Sequence, residues 1–126
     1  METIYLAIDG DDVGNQLEYY ILRNDEESIV KFSAKYTDAL AWLKSEITQL
    51  LSAAIILAGG DTLLVSLSSH MSQEHIEAIR QQFEEKANST LSMGLGSTIR
   101  DAHIALKYAK VSGKNRLCMY EEISDG

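Results

Sequence analysis

The sequence contains no proline, a single cysteine and no long apolar run. The lone Cys118 excludes a disulfide framework and a thiolate metal cage, and it is typical of a protein in the reducing cytosol. The amino terminus is apolar only over residues 4–8 before acidic residues begin, which is too short for a signal peptide or a membrane span. We therefore expect a cytoplasmic protein without membrane insertion.

Basic residues are also scarce. The chain has 11 lysines and arginines against 19 aspartates and glutamates, a formal net charge of -8. An extended nucleic-acid surface needs a basic face, so the composition argues against that class of partner. One small anionic ligand still fits if cations are gathered locally.

Length and composition predict one folded domain over residues 1–126. The chain is 45% apolar, which suffices for one core. Its 126 residues leave no room for a second. No linker rich in serine or glycine and no internal repeat interrupts it.

Short apolar runs predict five strands. They span residues 4–8, 53–58, 62–68, 91–95 and 117–120. Gly59-Gly60-Asp61 separates the second run from the third, and it predicts a tight hairpin because glycine accepts a positive φ without a steric clash.

Helical periodicity predicts four helices. The first spans Val13 to Arg23, and the second carries one apolar face from Ile29 to Leu50. The third is capped by Ser72 and the fourth opens with the capping-box spacing of Thr98 and Asp101. Their apolar faces comprise Ile76, Ile79, Phe83 and Ala87, and then Ile99, Ala102, Leu106 and Ala109. The order β-α-α-β-β-α-β-α-β predicts an α+β, ferredoxin-like fold with an antiparallel sheet.

Two aspartates occupy matching positions in this topology. The first and third strands are expected to be antiparallel, so Asp9 at the end of one lies beside Asp61 at the start of the other. Directly opposed residues have Cβ atoms about 5 Å apart, and two carboxylates at that distance repel unless a cation lies between them. The pattern predicts a divalent metal site, and the further carboxylates of Asp11 and Asp12 suit Mg²⁺ or Mn²⁺. Since magnesium is commonly completed by substrate phosphates, a nucleoside triphosphate is the expected substrate. These acids can alternatively be plain turn formers.

A cationic cluster lies at the carboxyl-terminal end of the last predicted helix. It consists of Lys107, Lys110, Lys114 and Arg116. Their side chains could reach a triphosphate, or they could simply favour the negative end of the helix dipole.

Another open alternative for the aspartates is a haloacid-dehalogenase phosphatase, with Asp9 as nucleophile and Asp11 as acid, although that fold needs a parallel sheet.

Three segments in this order resemble the nucleotide-cyclase and polymerase palm. They are Asp9-Gly10-Asp11-Asp12, Gly59-Gly60-Asp61 and the stretch from Ala109 to Arg116. That group includes GGDEF diguanylate cyclases and the polymerase domain of type III CRISPR effector complexes. The small size of the chain is most similar to the stand-alone minimal CRISPR polymerases, abbreviated mCpol.

The resemblance implies a role for each matching residue. Asp9 and Asp61 would be the catalytic, metal-binding carboxylates, and the carbonyl of Gly10 a further metal ligand. The backbone of Asp11, Asp12 and Val13 would cradle phosphates. Gly59 and Gly60 would lie against the base, and Lys110 and Lys114 would grip the triphosphate. Arg116 and Thr62 are additional candidates.

Two departures from the GGDEF pattern bear on the substrate. Thr62 stands in place of a second acid, and Leu17 stands where those cyclases carry the asparagine that reads guanine. Adenine is therefore the expected base.

The resemblance implies a synthase that joins two ATP molecules into a cyclic di-AMP, with a mixed 2′,3′ linkage as in related anti-phage systems, for a downstream effector. Two nucleotides joined head to tail require two sites, so we expect a homodimer. A palm that binds nucleotide without turnover is the alternative.

Overall fold

The fold is described from a computed structural model over residues 2–68 and 73–123. The strands are β1 (Thr3–Gly10), β2 (Ala54–Gly59), β3 (Thr62–Ser68), β4 (Leu91–Gly96) and β5 (Leu117–Met119). The helices are α1 (Val13–Leu22), α2 (Glu26–Leu50), α3 (Gln73–Ala87), α4 (Ile99–Val111) and α5 (Tyr120–Ile123). The predicted α+β class is confirmed, and only the short α5 has no counterpart among the predicted elements.

The strands form one sheet in the order β2-β3-β1-β4-β5. Strand β1 is antiparallel to both of its neighbours, as expected, but β5 runs parallel to β4. The expectation of a wholly antiparallel sheet is therefore wrong at this edge, because helix α4 forms a crossover that returns the chain in the same direction. The antiparallel pairing of β1 also removes the haloacid-dehalogenase alternative, which needs a parallel sheet.

The two faces of β1 pack against different helices. Leu6 and Ile8 enter the main core with residues of α2 and α3, whereas Ala7 points the other way, toward Ala102 and Leu106 of α4. Helix α4 lies close against β4 because Gly94 has no side chain; a β-carbon there would overlap the Leu106 amide nitrogen and the Ala102 carbonyl oxygen. Consecutive residues of β1 thus reach opposite layers.

Capping side chains determine where two of the helices begin. Helix α2 begins at Glu26, because Asp25 caps it by accepting a hydrogen bond from the Ser28 amide at 3.1 Å. The predicted cap of α4 is confirmed, with Thr98 accepting from the Asp101 amide at 3.0 Å. The predicted cap Ser72 lies outside the described residues.

Two residues assigned to apolar faces are exposed. Leu50, in the last turn of α2, is 52% exposed, and Ile99, in the first turn of α4, is 47% exposed. Both are terminal residues of their helices. In the described part of the chain, no helix is long and apolar enough to cross a membrane.

Candidate active site

The end of β1 lies beside the start of β3, as predicted, but the residue opposite Asp9 is Thr62. Asp61 precedes β3 and lies opposite Gly10, whose amide donates to the Asp61 carbonyl at 3.1 Å. The expected direct opposition of the two aspartates is therefore wrong by one residue. Asp61 belongs to the hairpin turn with Gly60, and Gly59 and Thr62 close that turn as a pair.

Only the second of the two glycines has a left-handed backbone. Gly60 has a φ of 57°, which a β-carbon disfavours. A β-carbon built on Gly59 or Gly60 would meet nothing within 4 Å, so the hairpin leaves open space above both residues.

The side chain of Asp9 faces α4. It accepts a hydrogen bond from the Thr62 hydroxyl at 2.9 Å and forms an ion pair with Lys110 at 3.1 Å. Thr62, which stands where GGDEF enzymes carry an acid, thus supports Asp9 as a hydrogen-bond donor.

A β-carbon on Gly10 would point toward α2, on the opposite face of the sheet from α4. A β-carbon there would lie under 3.0 Å from both the Tyr36 hydroxyl oxygen and Asp61 Oδ2. Gly10 is therefore needed for the close approach of Tyr36 and Asp61 to the strand end. Tyr36 carries no sequence signal of its own, because its position on α2 fits the apolar periodicity of that helix.

Asp11 is a buried anchor rather than an exposed ligand. The residue is 3% exposed, and its carboxylate accepts from Ser92 at 2.7 Å, Lys110 at 2.8 Å, Thr90 at 2.8 Å and the Asn115 amide at 3.0 Å. Burial alone would raise the pKa of Asp11, but these hydrogen bonds outweigh it and leave the pKa lowered. The Asp11 amide also donates to the Thr90 carbonyl, so it is not available to a phosphate.

Lys110 reaches the strand end from α4 and lies among oxygen atoms. Its Nζ donates to the Gly10 carbonyl at 2.7 Å and to Asp11 at 2.8 Å, and it lies 3.1 Å from Asp9. Burial lowers the pKa of this ammonium group, but the hydrogen bonds to Asp11 and Asp9 outweigh that effect and raise it. A cation is therefore held by two carboxylates and one main-chain carbonyl.

Lys114 lies on a loop with an unusual backbone. Gly113, Lys114 and Asn115 have φ values of 134°, 61° and 49°, and non-glycine residues rarely adopt such values in succession. The loop directs Lys114 Nζ to Asp12 at 2.7 Å. It is fixed by the Asn115 amide on Asp11 and by Arg80, which donates to the Asn115 side chain.

Asp12 begins α1 without capping it. Its φ is 58° and its own side chain accepts no hydrogen bond from the amides of the first helical turn. The amino end of a helix carries partial positive charge and uncompensated amides, which suit an anion. Val13, the first residue of α1, is half-buried beside this end.

The remaining cations of the cluster are placed differently. Arg116 bonds within its own loop, to the Lys114 carbonyl at 3.3 Å and the Ser112 hydroxyl at 3.4 Å. Lys107 lines a groove of about 340 Å³ beside Asp9, together with Lys110 and His103 of α4.

The donor set at the strand end suits a magnesium ion. In residues 2–68 and 73–123, no group of three or more histidine, cysteine, aspartate or glutamate side chains is arranged to hold a metal. Mg²⁺, however, is usually bound through one or two carboxylates and completed by water and substrate phosphates. The Lys110 ammonium group already stands in as a cation on Asp9 and the Gly10 carbonyl. The oxygen atoms of Asp9 and the Gly10 carbonyl are therefore suitable ligands for a magnesium ion.

Comparison with known families gives a match over most of the chain. The family described as minimal CRISPR polymerase domain (mCpol) matches residues 5–120. Comparison with curated proteins gives no match.

Solved structures similar to this fold include GGDEF domains. The GGDEF domain of DgcB from Caulobacter crescentus, in complex with c-di-GMP, has a TM-score of 0.60 and 16% identity, covering 94% of this chain and 78% of that one. The GGDEF domain of TpbB (YfiN) from Pseudomonas aeruginosa has a TM-score of 0.63 and 14% identity, covering 98% and 82%. The diguanylate cyclase SiaD from the same organism, in complex with its activator SiaC, has a TM-score of 0.58 and 16% identity, covering 93% and 49%. The architecture is therefore a GGDEF-like palm.

Proposed function

The chain belongs to the minimal CRISPR polymerase family, and we propose that it is a nucleotidyltransferase that joins two ATP molecules into a cyclic di-AMP. The observation that carries this proposal is the cation site formed by Asp9, the Gly10 carbonyl and Asp11 around Lys110. It lies next to the uncapped amino end of α1, so cation-binding oxygens and anion-binding groups meet at one place.

Charge at the site favours a divalent cofactor. Asp9, Asp11, Asp12 and Asp61 are four carboxylates, and Lys107, Lys110 and Lys114 are three ammonium groups, which leaves a formal charge of -1. A triphosphate would be repelled by that charge unless Mg²⁺ or Mn²⁺ accompanied it.

Each site residue has a distinct task in the proposed reaction. Asp9, the Gly10 carbonyl and Asp61 would hold the ions, and bound divalent ions lower the pKa of an attacking ribose hydroxyl and neutralise charge on the triphosphate. Lys110 and Lys114 would then stabilise charge on the phosphates and the departing pyrophosphate.

The backbone around these side chains would bind the rest of the nucleotide. The amides at the start of α1, from Val13 onward, would receive the phosphates. The open space above Gly59 and Gly60 would admit the base.

Adenine is the base we propose. Leu17 is partly buried against the main core and offers no polar atom where GGDEF cyclases read guanine. The mixed 2′,3′ linkage, the role in anti-phage defence and the downstream effector are carried over from the family resemblance.

We further propose that the active form is a homodimer, because each palm holds one nucleotide and the product contains two. Strand β2 is exposed along its whole length, with Ile56 48% and Leu57 56% exposed. These apolar side chains would supply surface for such an interface.

The test is incubation of the purified protein with Mg²⁺ and each nucleoside triphosphate, singly and in pairs, followed by mass spectrometry of the products. We expect a cyclic dinucleotide from ATP alone, loss of product in Asp9→Asn and Asp61→Asn, and retention in the control Asp38→Asn on the exposed face of α2. If Asp61→Asn forms as much product as wild type, Asp61 is not a required metal ligand. Nucleotide binding without release of pyrophosphate would favour the non-catalytic palm instead.

A further inference from the structure

Tyr36 carries a buried hydroxyl group that has no partner. The residue is 7% exposed, and among residues 2–68 and 73–123 its hydroxyl is the one buried side-chain polar atom without a hydrogen bond. An unsatisfied buried hydroxyl loses its hydrogen bonds to water and gains none in return. Such a group needs an explanation.

Packing does not explain it. The Tyr36 ring stacks on Phe32 at 5.7 Å and meets the edge of Phe83 at 5.7 Å, and both contacts involve the ring alone. A phenylalanine would make the same contacts without an unpaired polar atom.

The hydroxyl is directed at the strand end that carries the proposed metal ligands. It and Asp61 Oδ2 both lie under 3.0 Å from one point, the position of a β-carbon on Gly10, so the two oxygens are less than about 6 Å apart. A rotation of the Asp61 carboxylate, or one intervening water with two hydrogen bonds of about 2.8 Å, spans that distance.

The hydroxyl is suited to donate rather than to lose its proton. A phenol keeps its proton at neutral pH, since its ordinary pKa is about 10. A protonated phenol facing carboxylates is a hydrogen-bond donor, and Asp61 is the nearest carboxylate acceptor that the geometry at Gly10 identifies.

We propose that Tyr36 is a positioning residue for Asp61: its hydroxyl donates the hydrogen bond that orients the Asp61 carboxylate when a divalent ion and a nucleotide are bound. This inference rests on the proposed function, since it assigns Asp61 to ion binding. Groups that orient a metal ligand from behind commonly change metal affinity by about tenfold or more when they are removed.

The test compares Tyr36→Phe with wild type and with Tyr20→Phe. Tyr20 also packs against Phe32, at 6.3 Å between ring centroids, but it lies on α1 and is only partly buried. Mn²⁺ with a non-hydrolysable α,β-methylene analogue of ATP is the probe, and binding is followed by calorimetry. We expect binding about tenfold weaker in Tyr36→Phe and unchanged in Tyr20→Phe.

Two further measurements separate positioning from packing. Without ions, Tyr36→Phe should melt at the temperature of wild type or above it, because only an unsatisfied hydroxyl is removed. In an Asp61→Asn background the same substitution should have no further effect on binding, as coupled residues show in a double-mutant cycle.

The outcomes are distinguishable. If wild type binds the probe and Tyr36→Phe binds it equally well, the role of Tyr36 is refuted while the proposed function stands. If Tyr36→Phe melts well below wild type without ions, or if its effect persists in full in Asp61→Asn, the hydroxyl acts elsewhere and the assignment fails. If wild type itself does not bind, the proposed function fails and the inference falls with it.

Discussion

Asp11→Asn tests whether one buried carboxylate holds the site together. Its two oxygens accept four hydrogen bonds: Oδ1 from Ser92 and Lys110, and Oδ2 from Thr90 and the Asn115 amide. Asparagine keeps the shape but replaces one oxygen by an amino group, which faces two donors instead of accepting from them. The negative charge beside Lys110 disappears as well.

The expected loss follows from the burial of this group. Asp11 is 3% exposed and Ser92 is fully buried, so the Ser92 hydroxyl cannot replace this carboxylate by bulk water. Removing one partner from a buried charged pair costs about 3–5 kcal/mol. Since domains have total stabilities of about 5–15 kcal/mol, we expect a large fraction to be lost. Ser92→Ala removes one donor only and should cost about 1–3 kcal/mol.

The assay is urea unfolding followed by circular dichroism and by the fluorescence of Trp42, the one tryptophan of the chain. The matched control is Asp12→Asn, whose carboxylate is exposed and pairs with the exposed Lys114. It should stay within about 0.5 kcal/mol of wild type. An Asp11→Asn protein within about 1 kcal/mol of wild type would refute the anchoring role.

The other predictions use the same unfolding measurement. Gly94→Ala should destabilise the protein by about 3 kcal/mol, because the new methyl group overlaps the backbone of α4, whereas Gly14→Ala meets nothing within 4 Å and should be neutral or slightly stabilising; equal effects would contradict the close packing. Thr98→Ala should cost about 1 kcal/mol through loss of the α4 cap, and no change would exclude that cap. The folded pKa of Asp11 lies below its ordinary value of 3.8, so its contribution is present above about pH 4 and is lost as the pH falls through the lowered pKa. Asp11→Asn should therefore show a weaker fall in stability below about pH 4 than wild type, and an identical fall would assign the acid sensitivity to other groups.

Much of the fold could be predicted because its signals are local. Apolar runs and helical periodicity identified the five strands and four long helices, and the capping pair of Thr98 and Asp101 marked the start of α4. The direction of β5 could not be predicted in the same way. Its pairing with β4 extends over three residues, and it depends on where α4 returns the chain rather than on the sequence of the strand.

Two features of the candidate site could not be predicted from the sequence: the residue opposite Asp9 and the position of the Tyr36 hydroxyl. The residue opposite Asp9 depends on the register between β1 and β3, and no local signal fixes that register across the 52 residues that separate Asp9 from Asp61. Tyr36 could not be distinguished from the other residues on the apolar face of α2, because periodicity identifies a buried face and not the atoms that a buried side chain contacts.

The loop contacts of Asn115 carried no sequence signal either. Asn115 is fixed by Arg80, which lies 35 positions earlier on α3. An asparagine can adopt a left-handed backbone at little cost, but that preference says nothing about a distant partner.

The geometry of β1 explains why the site depends on register. Asp9 faces α4, where Lys110 and Thr62 meet it, while Gly10 faces α2, where Tyr36 and Asp61 approach. Because side chains alternate between faces, a slip of one residue would turn Asp9 away from Lys110 and toward Tyr36.

The contacts of Asp11 oppose that slip. Its amide donates to the Thr90 carbonyl, and its carboxylate holds Ser92 of β4 and the loop at Asn115. Asp11 thus supports the candidate site mainly by fixing which of its neighbours, Asp9 or Gly10, faces each layer of the fold.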